Sequence, residues 1–167
     1  MILGMSPEDL TTTHVILSLT GIASGVFVMI GLAAGNKSDG LNVVFLLSTL
    51  GAAITGFLFP FDHLLPSHIV GFITLGALAI AILALYGFHL VGAWRLVFVV
   101  GASAAFYLNV FIGVVQAFQK IAVLRPLAPT QSEPLFLGAE IVLLVITLAF
   151  MVAAFRRFHP TSGPYGV

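Results

Sequence analysis

Five apolar stretches separated by short polar breaks organise the chain: His14–Gly35, Leu41–Phe59, Ile69–His89, Leu96–Gln119 and Leu135–Phe155. Each approaches the roughly 20 residues with which an α-helix crosses about 30 Å of hydrocarbon. The pattern predicts an all-α integral membrane bundle of five transmembrane helices. The breaks are Asn36–Gly40, Pro60–His68, Leu90–Arg95 and Lys120–Pro134, each punctuated by Pro or Gly. None is long enough for a second folded unit, so residues 1–167 are expected to form one helical domain. Ser132 is the expected N-cap of the fifth helix, with Pro134 in its first turn.

At 100° per residue the first helix divides into two arcs. His14, Ser18, Gly21 and Gly25, with Thr20, Ser24, Gly31 and Gly35 beside them, form a small and polar face; Val15, Leu19, Ile22, Val26, Met29 and Ile30 form the opposite one. Small residues let helix backbones approach where lipid removes any hydrophobic drive between them, so the first arc is expected to meet protein and the second lipid. The fourth helix has a narrower stripe, Ala102, Ala105, Asn109, Gly113, Gln116 and Lys120. Asn109 falls near mid-membrane, where an amide is cheapest when it bonds to another helix. Gln116 lies nearer one end.

Composition strengthens the membrane reading. Sixty per cent of residues are hydrophobic, 7% are charged and the mean hydropathy is +1.17, which leaves no polar coat for water. The formal net charge is zero, so no basic surface offers itself to nucleic acid. The expected partner is the lipid bilayer, with a membrane-protein partner or a second copy left open. Cysteine is absent, which excludes disulfides, thiolate metal sites and covalent haem attachment. No Lys or Arg precedes the first apolar stretch, which also exceeds the roughly 7–15 residues of a signal peptide's apolar region, so it is expected to be retained. With the N-terminus outside, the inner side carries Lys37, Arg95, Arg156 and Arg157 against Lys120 and Arg125 outside. Cytoplasmic loops hold the excess of Lys and Arg, so the N-terminus is expected outside and the C-terminus in the cytoplasm.

In that orientation His14, Asp62, His63, His68 and Glu140 share the outer end. These are ligand types for a divalent metal, or for a haem b iron held by His14 and His68 at similar depth. Glu140 is the only acidic residue inside a span, and intramembrane carboxylates point to function by default. A partner for it is sought in Lys120 or Arg125. At the inner end Tyr86, His89 and Arg95 lie around a tight turn with Trp94; they read as interfacial anchors, with a quinone or anionic headgroup site as the alternative. No G-x-S-x-G, H-E-x-x-H or phosphate-binding Gly-rich loop occurs, so no catalytic motif supports an enzyme.

The stretches HVILSLTGIASGVFVMIGL (14–32), TGFLFPF (55–61), LVGAWRLVFVV (90–100), YLNVFIGVVQAF (107–118) and LAPTQSEPLFL (127–137) together resemble an uncharacterised group of small multi-pass bacterial inner-membrane proteins. The resemblance covers nearly the whole chain and implies a bacterial inner-membrane location, without an activity or functional residues to carry over. A His opening a glycine-rich first helix is also similar to small b-type haem membrane proteins, although their full histidine set is missing. The reading that follows is a structural or accessory inner-membrane protein. A haem- or metal-binding redox protein is the alternative, and a small-solute or proton pathway through Asn109 and Glu140 the third.

Overall fold

The structure, a computed structural model, describes residues 6–59 and 66–160. Asp62 and His63 therefore lie outside the described residues. Five long helices account for nearly all of the rest: α1 (Pro7–Ala33), α2 (Asp39–Gly56), α3 (Pro66–Ile82), α4 (Trp94–Lys120) and α5 (Pro134–Arg157). A single π-helical turn, Leu83–Gly87, continues α3. Each helix, with that turn counted into the third, is long and apolar enough to cross a membrane. The chain is thus an all-α, multi-pass membrane bundle.

Helix α1 starts seven residues before the apolar stretch does. Ser6 caps it: the Asp9 amide donates to Ser6 Oγ at 3.1 Å, and the Ser6 amide donates to the Asp9 carboxylate at 3.3 Å. This reciprocal box satisfies two amides that a helix N-terminus otherwise leaves open, and Pro7 fits the first turn. At 27 residues the helix is about 40 Å long, so its first turns extend past the hydrocarbon. Helix α5 begins at Pro134 as expected, but its N-cap is Glu133 and not Ser132. The Glu133 carboxylate turns back instead, accepting from the Thr130 amide and hydroxyl at 3.0 and 2.8 Å and from the Ser132 amide at 3.0 Å.

The helices form a ring in which each packs on its sequence neighbours and α5 returns to α1, while α1 and α4 also touch across the middle. Phe45, Leu78, Phe98, Ala102 and Ala105 are fully buried where the helices converge. On the outside, Leu19, Phe27, Leu47, Ile69, Phe72, Ile141 and Val145 are each more than half exposed. That apolar belt is what a lipid-solvated bundle presents.

The two arcs of α1 are largely as their residue types imply. Gly21, Ser24 and Gly25 are buried, and Val15, Leu19, Val26 and Ile30 are exposed. Thr20 and Met29 depart from the expectation: Thr20 is exposed, whereas Met29 is 2% exposed and its sulfur accepts from Ser103 Oγ of α4 at 3.6 Å. Met29 packs in the core with Val28 and Leu32, and the packed arc is wider toward this end of α1 than its small residues alone outline.

Candidate functional site

The polar interior is built where α1, α2 and α4 meet. Gly21 makes the junction possible, because a β-carbon there would lie 2.7 Å from both Asn109 Nδ2 and Thr49 Oγ1. With only hydrogen in that place, Asn109 reaches past it and donates to the Ser18 carbonyl at 3.3 Å. The carbonyl's second lone pair accepts this bond beyond the helix's own. Asn109 thus ties α4 to α1. One turn farther along, Gly25 admits the edge of Phe106, whose Cδ2 would sit 2.5 Å from an added β-carbon.

Two turns before Gly21 on α1, in the direction opposite to Gly25, His14 Nδ1 is 3.0 Å from Thr55 Oγ1 of α2. The Thr55 hydroxyl already donates to the Gly51 carbonyl at 2.8 Å, and a hydroxyl has one proton to give. His14 Nδ1 is therefore the donor in this contact. His14 also meets Phe59 edge-on, with ring centroids 5.5 Å apart. His68 is buried on α3 and packs on Phe57, with ring centroids 5.7 Å apart. Each imidazole thus rests on the end of α2, which stands between the helices that carry them. Among the described residues no three His, Asp or Glu gather closely enough to hold a metal ion.

Glu140 lies on α5 about 10 Å below its first residue at 1.5 Å per residue. It is 8% exposed, and neither carboxylate oxygen has a hydrogen-bond partner. The expected pairing with Lys120 or Arg125 is not made: Lys37 with Asp39 is the one Lys or Arg ion pair among the described residues. Glu140 shares its face with Phe136, Thr147 and Ala154, all buried, so the face points into the bundle. Thr147 satisfies itself on the Leu143 carbonyl at 2.9 Å. Glu140 has no such local route, because a carboxylate carries no proton to donate. Phe118 of α4 meets Phe136 edge-on at 5.5 Å, while Asn109, nine residues earlier, is about half a turn away at 100° per residue. The α5-facing side of α4 is therefore distinct from the side that bears Asn109 and Gln116. Gln116 is half-buried with its Oε1 unpartnered.

The other end is differently made. Tyr86 and His89 are exposed. His89 and Leu90 adopt φ of 50° and 60°, so the turn there is a left-handed reversal that non-glycine residues enter at some cost. Phe88 stacks on Trp94 at 3.7 Å, nearly parallel. Arg95 donates to the Phe158 carbonyl at 2.9 Å and to that of Phe155 at 3.4 Å, binding carbonyls that the end of α5 leaves open. Its guanidinium is engaged in closing a helix.

Two interior polar residues were not singled out by the sequence. Asn42 and Thr49 of α2 are 2% and 1% exposed, and Asn42 Nδ2 and Thr49 Oγ1 have no partner. The signal was present, since Asn42, Phe45, Leu46, Thr49 and Ala52 follow the 3.6-residue period of one helix face. Comparisons with protein-family models, with curated proteins and with solved structures found no match.

Proposed function

We propose that this chain is a multi-pass protein of a bacterial inner membrane, N-terminus outside and C-terminus in the cytoplasm, that binds a proton or a small cation at Glu140. One observation carries the reading: a carboxyl group turned into a membrane bundle with neither oxygen satisfied. An isolated charge in such a place costs several kcal/mol. Neutralisation by a proton or a cation removes that cost, and the site's occupancy then depends on what the surrounding solution offers. A purely structural or accessory bundle has no use for the group, since leucine on the same face would pack without it. This is why the structural reading, first on sequence grounds, yields to a site at Glu140 alone, without the path through Asn109, which is tied to Ser18 on another side of α4. In the proposed orientation Glu140 lies toward the outer end of α5, buried behind the helix's first turns.

Infrared difference spectra of the purified protein, taken between acid and alkaline buffers, test the reading. A carboxyl C=O band that titrates and disappears in Glu140→Gln supports it. If no titrating band is lost in that variant, and added alkali cations shift no carboxylate band either, the structural and accessory reading returns. A visible spectrum of the same sample addresses the redox alternative, for which a Soret band from a His14 and His68 pair is required.

A further inference from the structure

The loop between α4 and α5 encloses a second feature, whose lining does not include Glu140. A groove of about 470 Å³ runs beside the last turn of α4, lined by Phe118, Gln119, Arg125, Ala128, Thr130 and Gln131, with Pro129 at its edge. Its floor is apolar: Phe118 and Ala128 are 7% and 3% exposed and pack with Phe136. Its rim supplies donors. Arg125 is exposed in a 3-10 turn at residues 125–127, and makes no ion pair among the described residues. Gln131 holds φ at 59°, a conformation that a residue with a β-carbon rarely adopts, and its Nε2 is shielded from water without a hydrogen-bond partner. The Glu133 carboxylate is held by Thr130 and Ser132 and forms no ion pair with Arg125.

We propose that this groove binds the phosphate of a phospholipid headgroup, with Arg125 and the Gln119 and Gln131 amides on the phosphate oxygens and Phe118 beneath the glycerol and first acyl carbons. A guanidinium paired with amide donors suits a phosphate rather than a cation. The terminal torsion of Gln is broad, so the Gln131 amide turns to an entering oxygen without leaving its rotamer. The place is also right. The groove lies between the end of one apolar helix and the start of the next, where headgroups stand beside a membrane protein, and its floor is apolar where an acyl chain begins.

Thermal unfolding in dodecylmaltoside micelles tests this, with dioleoylphosphatidylglycerol, dioleoylglycerol or inorganic phosphate as the added probe. At saturation the phospholipid is expected to raise Tm on the order of 5 °C, and neither other probe to do so. Arg125→Ala and Gln131→Gly should each lose most of that shift without lowering the Tm of the unlipidated protein; glycine relieves the positive φ, so the second variant has no reason to misfold. Arg125→Gln serves if Arg125→Ala does not fold. An equal shift from dioleoylglycerol, or one that persists in the variants, overturns the proposal. So does the absence of any shift, and an equal shift from inorganic phosphate overturns the lipid as occupant.

Discussion

At the scale of single residues, the bundle's tightest constraint is Gly25. An added methyl group meets the Phe106 ring at 2.5 Å with Phe45 behind it at 3.1 Å, and neither ring has room to retreat in a packed interior. Gly25→Ala is expected to destabilise the bundle by about 1–3 kcal/mol, read as a lowered unfolding midpoint in mixed micelles. Gly21→Ala should cost less, because the atoms it meets are the tips of Asn109 and Thr49. Ala23→Leu, on the exposed arc, should leave the midpoint where it is. Glu140→Leu is expected to act in the opposite sense, raising stability by about 1–3 kcal/mol as an unsatisfied buried group is removed. Glu133 makes a prediction in pH. Desolvation pushes its carboxyl up, but the hydrogen bonds from the Thr130 hydroxyl and the Thr130 and Ser132 amides outweigh it and hold it below the usual carboxylate range. Folding therefore favours the ionised form, so this turn is secured above the ordinary glutamate range and loosens as pH falls through the lowered value. Relative to the intrinsic exchange rate at each pH, protection of the Thr130 and Ser132 amides should fall as the solution is acidified, and in Glu133→Gln it should be low throughout.

At the scale of elements, Arg95 joins the start of α4 to the end of α5, so Arg95→Ala should fray α5 from Phe155 onward and leave α1 untouched. Residue-resolved hydrogen exchange distinguishes the two. The number, order and approximate limits of the helices were legible because lipid imposes a single requirement, a long apolar run, and the chain meets it five times. Helix ends were less legible. The start of α1 depends on a capping box written with Asp9 in place of the usual Glu or Gln, outside the apolar run. The π-helical turn at Leu83–Gly87, just before the left-handed residues His89 and Leu90, leaves no compositional trace. The faces were half legible: glycine and serine marked the packed side of α1, but Met29 looks like a lipid-facing residue until Ser103 is placed opposite it. For the candidate site, the sequence singled out Glu140 by its rarity and Asn109 by its depth. That Glu140 lacks a partner, and that Asn42 and Thr49 lie fully inside, depends on which helices are neighbours, and neighbours are not written in periodicity.

At the scale of the whole molecule, the proposed orientation follows from four Lys and Arg against two. A fluorescent reporter fused after residue 167 should fold and shine in the cytoplasm, whereas alkaline phosphatase at the same place should be inactive; the converse result would reverse every inside and outside assignment made for the loops. The meeting of α1 with α4 across the ring has a consequence in time. On a ribosome the first helix is made before the fourth, and the two are separated by a complete hairpin. Until Asn109 and Phe106 emerge, Ser18 keeps an idle acceptor and the notch at Gly25 stands open to lipid. The ring can close only after α4 has entered and α5 has followed. A chain truncated at residue 93 and released should therefore be degraded by membrane proteases, and one released past residue 157 should be spared, with the change falling at late truncation points rather than spread evenly along the chain.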